Sequence, residues 1–166
     1  MQSISPETIF RGNHAWEKAL PQIVNFTKSP LILGRSVHTN NIKNKIFRDL
    51  KNQNLTVNSA NLQFDCCYED ILKVKEIILN NNHDAVIAAG GGKVLDSGKY
   101  IAEILNIPCI TVPLSASTCA GWTALSNIYT KKGQFIKDVP LSSCPKVLVF
   151  DHKFIQTAPS RTLASG

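Results

Sequence analysis

Three consecutive glycines, Gly90, Gly91 and Gly92, stand directly before Lys93. Glycine has no Cβ, so its backbone tolerates positive φ angles and can lie uncovered against a ligand. The ammonium group of Lys93 adds a positive charge at the same place. Bare backbone N–H groups beside a cation are suited to binding a phosphate or pyrophosphate group, and this is the first chemistry that the sequence suggests.

The elements on either side of the glycines would position such a site. Residues 85–89 form a short apolar run that is typical of a buried strand. After the glycines, Val94, Ile101 and Leu105 recur at helical spacing, which predicts an amphipathic helix. A strand, a glycine turn and a helix in this order place unpaired N–H groups and the positive end of the helix dipole at the turn.

A purely structural interpretation of this unit stays open on the residues alone. The glycine spacing matches neither G-x-G-x-x-G nor the P-loop pattern, since no Ser or Thr follows Lys93. Glycine turns of this kind also occur in α/β domains that bind nothing. Asp96 is predicted to stabilise the start of the helix, where a carboxylate interacts favourably with the dipole.

Length and composition predict one globular domain, because the chain has 166 residues, 43% of them hydrophobic and 18% charged. The net charge of +6 comes from scattered Lys and Arg residues, without the basic block that nucleic-acid binding would need. This charge favours a phosphorylated ligand instead. No apolar run is long enough to span a membrane and the N-terminus lacks a secretion signal, so we predict a cytoplasmic protein.

The cysteines do not suggest a metal centre. There are five of them, and the adjacent Cys66 and Cys67 have no C-x-x-C or Cys/His spacing. We therefore predict free thiols and no zinc site made from cysteines.

Strand and helix patterns alternate along most of the chain. Strands are predicted at residues 31–34, 55–64, 85–89, 108–113 and 145–150, with helices between them that include residues up to 50, 69–79 and 94–105. The chain is predicted to begin with a strand and a short helix ending near Pro21. Residues 126–130 and 134–137 are predicted as two β segments joined by a turn at Lys132 and Gly133. This alternation predicts an α/β fold, a parallel sheet with helices on both faces and ligands at the carboxyl ends of the strands.

Three segments carry a resemblance to a known family: GGGKVLDSGKYIA (90–102), VPLSASTCAGWTALSNIYT (112–130) and DHKFIQTAPSRTLASG (151–166). In this order they resemble the glycerol dehydrogenase branch of the iron-containing alcohol dehydrogenase superfamily. The resemblance covers the whole chain but only the first half of a family member. It implies that residues 1–157 form a Rossmann-like domain that binds a nicotinamide dinucleotide. Residues 158–166 would begin a truncated, all-helical metal-binding domain.

The resemblance also implies which residues bind the cofactor. Gly92 and Lys93 match positions that hold the pyrophosphate, and Gly90 and Gly91 are predicted with them to bind the cofactor. Further positions in the loop and strand that follow match residues that line the cofactor: Leu114, Ser117, Thr123, Leu125 and Tyr129. Each has a structural alternative, because Leu125 could belong to the core, Thr123 to a turn and Tyr129 to an ordinary strand.

Arg35 departs from the family pattern. NAD-using relatives place an Asp just after the first strand of the cofactor domain, where its carboxylate accepts hydrogen bonds from the adenosine ribose. Here Arg35 takes that place, and a guanidinium binds a 2′-phosphate well. The hypothesis is a preference for NADP over NAD; the alternative is a solvated surface arginine.

Two departures concern the substrate and the loop. Cys119 stands where glycerol dehydrogenases usually have an Asp that contacts the polyol, which makes glycerol itself doubtful. Leu114 stands where the family commonly has a Thr, so the cofactor site lacks one hydroxyl group. The substrate class implied by the resemblance is a small alcohol or polyol.

The catalytic metal is the last departure. The resemblance implies a Zn or Fe ion held by one Asp beyond this chain and by two His, and none of the four histidines here matches these ligands. We therefore expect a truncated metal-dependent alcohol or polyol dehydrogenase that is inactive by itself and has an exposed apolar face that favours a homo-oligomer. The alternatives are a lyase similar to dehydroquinate synthase and a non-catalytic nucleotide-binding module.

Overall fold

The computed structural model describes residues 4–158, which form a six-stranded parallel sheet, a separate β-hairpin and the helices around them. The strands of the sheet are β1 (Thr8–Gly12), β2 (Pro30–Gly34), β3 (Asn58–Asn61), β4 (Ala85–Gly90), β5 (Cys109–Pro113) and β8 (Val147–Asp151). The antiparallel hairpin consists of β6 (Leu125–Tyr129) and β7 (Phe135–Pro140). The helices are α1 (Ala15–Phe26), α2 (Asn40–Asn52), α3 (Tyr68–Asn80), α4 (Gly92–Leu105) and α5 (His152–Gln156).

Helices cover both faces of the sheet. Successive side chains of a strand point to opposite faces; along β4, Val86 packs with α3 and α4, while Ile87 packs with α1 and α2. Every residue of β2, β4 and β5 is buried, which explains why these strands are continuous apolar runs in the sequence. The predicted α/β fold, a Rossmann-like parallel sheet with helices on both faces, is confirmed.

The strand order places one crevice in the middle of the sheet. The order is β1-β8-β5-β4-β2-β3, so the chain runs from β2 outward to β3 and then returns across β2 to β4. The connections after β2 and after β4 therefore lead away in opposite directions. In open α/β sheets such a switch point leaves a crevice at the carboxyl ends of the two strands, where ligands bind.

The N-terminal strand closes one edge of the sheet. β1 pairs only with β8, with Thr8 opposite Val147 and Gly12 opposite Asp151. The carboxylate of Asp151 accepts hydrogen bonds from the backbone N–H of Trp16 in α1 (3.0 Å) and of Lys153 in α5 (2.9 Å). One buried side chain thus joins the first and last described helices to the end of β8.

The prediction that the first helix ends near Pro21 is wrong, because α1 continues through this residue to Phe26. Proline removes one backbone hydrogen bond from the helix. Trp16, Ala19 and Ile23 form a buried face that extends past the proline, and all three are inaccessible to solvent. Packing of this face against the sheet outweighs the lost bond.

The predicted strand at residues 55–64 is shorter in the structure, where β3 spans only Asn58–Asn61. Leu55, Val57 and Leu62, whose alternation suggested the longer strand, are buried in the connections on either side of it. The alternation of apolar and polar residues at 55–64 therefore arises from buried loop residues and not from one long strand. The hairpin prediction is confirmed, and Gly133, with a φ of 80°, forms the turn between β6 and β7.

Two predictions fall at the limits of the described chain. Residues 159–166, most of the segment predicted to begin a second domain, lie outside the described residues. Within residues 4–158, no helix combines the length and the apolar character needed to cross a lipid bilayer.

Candidate functional site

The glycine turn joins β4 to α4 at the switch point. β4 ends at Gly90, and Gly91 caps the helix, its carbonyl accepting hydrogen bonds from Val94 N (3.0 Å) and Leu95 N (3.1 Å). The N–H groups of Gly92 and Lys93 precede these bonds and are the first donors of the helix. They have no partner within the helix and can donate to an anion at its N-terminus.

The three glycines have different surroundings. A Cβ on Gly90 would lie 2.7 Å from Val94 Cβ, so this glycine is needed for packing of the helix on the strand. A Cβ on Gly92 would lie 3.0 Å from Thr118 Oγ1. A Cβ on Gly91 would meet no atom within 4 Å. Gly91 is therefore the glycine that faces open space, where a ligand can approach the backbone.

A cavity of about 270 Å³ lies at this point, between the end of β2 and the start of α4. It combines backbone from the glycine turn with side chains from the segment after β2. Its lining residues are Arg35, Ser36, Thr39, Gly90, Gly91, Gly92, Lys93 and Val94. The structure thus brings together the predicted pyrophosphate positions and the predicted phosphate-reading arginine.

Asp65, which sequence reasoning missed, connects the two cations of this cavity. Its Oδ1 lies 2.6 Å from Arg35 Nη1, and its Oδ2 accepts a hydrogen bond from Lys93 Nζ at 2.5 Å. The Asp65 side chain is 10% exposed, whereas those of Arg35 and Lys93 are 45% and 40% exposed. The only signal in the sequence is an acidic residue shortly after the predicted strand at residues 55–64, at the same edge of the sheet.

Tyr129 contacts a lysine that lines the cavity. Lys93 Nζ is 4.7 Å from the centre of the Tyr129 ring, a cation–π contact. The backbone N–H of Tyr129 donates to Cys66 O at 2.8 Å, which fixes the end of β6 beside the loop that carries Asp65. A predicted cofactor residue from the hairpin is therefore in contact with the predicted pyrophosphate lysine.

The loop after β5 lies over the glycine turn. Leu114 is buried, and its N–H donates to Gly90 O at 2.9 Å. Ser117 and Cys119 are exposed and do not line the cavity. Thr118, a second residue that sequence reasoning missed, is the loop residue closest to Gly92. The sequence gives no signal that favours Thr118 over its neighbours.

Thr123 and Leu125 lie beside a buried ion pair instead of the cavity. Lys99 Nζ is 3.0 Å from Asp96 Oδ1 and donates hydrogen bonds to Thr123 Oγ1 at 3.1 Å and to Leu125 O. The side chain of Leu125 is exposed at the start of β6. The Thr123 hydroxyl therefore already accepts a hydrogen bond from the protein.

The predicted role of Asp96 at the helix start is wrong. No acidic residue lies in the first turn of α4; Asp96 is in the second turn, where it pairs with Lys99. Burial raises the pKa of the Asp96 carboxyl, and attraction to the Lys99 ammonium opposes this rise. Asp96 thus joins α4 to the hairpin through the buried lysine.

The described residues contain no group of three or more His, Cys, Asp or Glu side chains that could hold a metal ion. The five cysteines are free thiols, as predicted. Burial raises the pKa values of Cys66 and Cys109 to about 12, so these two thiols stay protonated at neutral pH.

Comparison with known proteins adds the family context. The family described as iron-containing alcohol dehydrogenase matches residues 6–152. An uncharacterized oxidoreductase of Synechocystis sp. is 34% identical over 165 residues, which are 99% of this chain and 42% of the relative. Glycerol dehydrogenase 1 of Schizosaccharomyces pombe is 32% identical over 163 residues, which are 98% of this chain and 36% of the relative.

Solved structures show the same fold. The crystal structure of glycerol dehydrogenase from Schizosaccharomyces pombe superposes with a TM-score of 0.88 at 30% identity, over 99% of this chain and 42% of that chain. The NADH-dependent butanol dehydrogenase A of Thermotoga maritima superposes with a TM-score of 0.86 at 18% identity, over 98% of this chain and 46% of that chain. This chain thus spans less than half the length of these relatives.

Proposed function

Because the chain belongs to the iron-containing alcohol dehydrogenase family, we propose that it is the NAD(P)-binding part of a metal-dependent alcohol or polyol dehydrogenase. The observation that carries the proposal is the cavity at the switch point, where the open backbone at Gly91 lies between Arg35 and Lys93. Glycerol dehydrogenases are among the relatives found by sequence and among those found by structure. One structural neighbour is described as NADH-dependent.

The pyrophosphate of the dinucleotide would bind at the start of α4. The N–H groups of Gly92 and Lys93 would donate to its oxygens, and the Lys93 ammonium would balance its charge. Tyr129, in contact with Lys93, would border the same site. The backbone N–H of Leu114 holds the loop after β5 against the glycine turn, and the contact of Leu114 with the cofactor stays a prediction. Ser117, Thr123 and Leu125 stay predictions.

Arg35 would give a preference for NADP. It directly follows β2, lines the cavity and has a side chain that is 45% exposed, so its guanidinium can meet a 2′-phosphate in a bidentate arrangement. NAD has a hydroxyl group at that position and gains no charge pair. Preference for NADPH over NADH is therefore the expected binding signature.

The chemistry of the whole protein would be oxidation of a small alcohol or polyol, with hydride passing to the nicotinamide. The described residues do not fit a metal centre. For this chain by itself we propose dinucleotide binding without alcohol turnover. Exposed Cys119 is the proposed substrate-facing residue, and its thiol is a poor hydrogen-bond partner for a diol such as glycerol. The predicted homo-oligomer stays a prediction.

The test is calorimetric titration of the chain with NADPH and NADH, with Arg35→Asp as the variant. We expect binding of both, tighter for NADPH, and a fall of about tenfold or more in NADPH affinity in Arg35→Asp, because a carboxylate repels the 2′-phosphate. Arg48→Asp, which makes the same charge change on α2, is the matched control. Equal affinities for the two dinucleotides would contradict the NADP preference, and absence of binding by a folded sample would contradict the proposed function.

A further inference from the structure

Asp65 occupies an unusual position for a buried carboxylate. It lies against both cations of the candidate cofactor site, 2.6 Å from Arg35 Nη1 and 2.5 Å from Lys93 Nζ. These are the two side chains to which the proposed function assigns phosphate groups. The residue is 7% exposed, and Oδ1 accepts no hydrogen bond from the described residues in spite of its nearby guanidinium.

We infer that Asp65 competes with the phosphates of the cofactor for these cations and that, together with Arg35, it determines the discrimination between NADP and NAD. The inference rests on the proposed function, because it concerns the same cavity. It adds a specificity-determining residue that neither the glycine motif nor the loop motifs contain.

The position of Asp65 is fixed by the fold around it. Leu62 N donates to Gly34 O at 2.8 Å, which holds the segment after β3 beside the end of β2. Phe64 N donates to Asp70 Oδ2 at 2.6 Å, and Tyr129 N donates to Cys66 O at 2.8 Å. Hydrogen bonds of the backbone on both sides of Asp65 therefore hold its carboxylate beside Arg35 and Lys93.

The charges show why the two dinucleotides would respond differently. The carboxylate neutralises much of the positive charge of Arg35, which is the group proposed to bind the 2′-phosphate. A phosphate monoester carries a charge of about −1.5 to −2 at neutral pH, so Asp65 also repels it directly. NAD lacks the 2′-phosphate, so neither effect weakens its binding. Asp65 therefore weakens NADP binding more than NAD binding.

The Oδ1 atom of Asp65 provides a second contribution, which favours NAD. A carboxylate in a dinucleotide-binding fold can accept hydrogen bonds from the ribose hydroxyls of NAD. The 2.6 Å contact of Oδ1 with Arg35 is an ion pair without the alignment of a hydrogen bond, so this oxygen can accept from a ribose hydroxyl once the guanidinium moves away or is removed. Arg35 thus favours NADP and Asp65 favours NAD. Because the two side chains are 2.6 Å apart, each reduces the interaction of the other with the dinucleotide.

The experiment is a double-mutant cycle, with NADPH and NADH titrated calorimetrically into wild type, Asp65→Asn, Arg35→Ala and the double variant. We expect Asp65→Asn to tighten NADPH binding about tenfold and to leave NADH binding unchanged or weaker, because the competing charge is removed and the ribose acceptor is weakened. We expect Arg35→Ala to weaken NADPH binding and to tighten NADH binding about threefold, because Oδ1 is then free for the ribose. The double variant should not show the tighter NADH binding that is expected for Arg35→Ala.

Glu76→Gln is the matched control, because it removes one negative charge at an exposed position of α3 away from the cavity. An NADPH-to-NADH affinity ratio that is the same in Asp65→Asn as in wild type would overturn the inference, as would an equal change of ratio in Glu76→Gln. If Asp65→Asn does not fold, the NADH affinity of Arg35→Ala decides, since the Arg35 side chain is largely exposed and a purely structural Asp65 would leave that affinity unchanged. Lack of binding of both dinucleotides to every folded variant would instead refute the proposed function.

Discussion

Helix α4 carries two lysines that pair with aspartates in opposite settings. Lys93 lies at its first turn, 2.5 Å from Asp65, with 40% of its side chain exposed. Lys99 lies further along, 3.0 Å from Asp96, with 1% exposed. Lys99 also donates to the hairpin carbonyls and to the Thr123 hydroxyl, whereas Lys93 faces a cavity and an aromatic ring.

The difference separates a lysine whose donors are used within the fold from one that the proposed function assigns to a ligand. The donors of Lys99 are directed at partners within the protein, so this residue can offer little to a ligand and instead holds the hairpin to α4. Lys93 has donors left for a ligand, because its side chain is 40% exposed and lines the cavity. Both are lysines of the same helix, and only their surroundings distinguish them.

The largest effect is expected from breaking the buried ion pair between Lys99 and Asp96. Lys99→Met leaves Asp96 as an uncompensated buried charge, and we expect the free energy of unfolding to fall by about 3–5 kcal/mol. Lys93→Met, the matched variant on the same helix, should lower it by less than about 1 kcal/mol, because its pair is partly exposed. Urea denaturation of both variants measures this. Equal losses in the free energy of unfolding would contradict the different structural roles of Lys93 and Lys99.

A smaller effect is expected from the glycines in front of Lys93. Gly90→Ala would place a Cβ 2.7 Å from Val94, and we expect it to destabilise the protein by about 1–3 kcal/mol. Gly91→Ala meets no atom, so stability should change by less than about 1 kcal/mol. Its methyl group should instead weaken dinucleotide binding, measured calorimetrically. Unchanged binding in a stable Gly91→Ala would show that the ligand does not approach this backbone.

The smallest effect concerns pH. Burial raises the pKa of Asp96 above its ordinary value of 3.8, so the folded state binds this proton more tightly than the unfolded chain. The contribution of this group to the free energy of unfolding therefore falls as the pH rises from 3.8 through the raised pKa. Asp96→Asn should remove this decrease from urea denaturation curves recorded across that range. Glu76→Gln removes an exposed carboxylate of α3 that is not among the groups shifting this pKa, and it should keep the decrease. Curves of the same pH dependence for wild type and Asp96→Asn would contradict this prediction.

Local patterns in the sequence were sufficient for the elements that build the site. β2, β4 and α4 were predictable because their apolar residues are close in sequence and the glycine turn interrupts them. The resemblance, confirmed by the family match, added Arg35 and Tyr129, which the structure brings to the same cavity and its lysine.

The remaining features depend on contacts between distant parts of the chain. Asp65 reaches Arg35 and Lys93 from a third element, and no spacing rule relates these residues. Asp96 was misread because its position near a helix start was visible, whereas its burial beneath the hairpin was not. Pro21 was misread for a similar reason, since tertiary packing of α1 overrides the local tendency of proline to end a helix.

The pairing of β1 with β8 has a consequence for synthesis on the ribosome. β1 leaves the exit tunnel before the other strands of the described sheet, yet its only partner in that sheet is β8. The hydrogen bond from Trp16 N to Asp151 spans 135 residues. The nascent N-terminal segment must therefore wait, with the apolar face of α1 uncovered, until nearly all of the described sheet has been translated. During that interval this segment is the part of the chain most in need of protection by a chaperone.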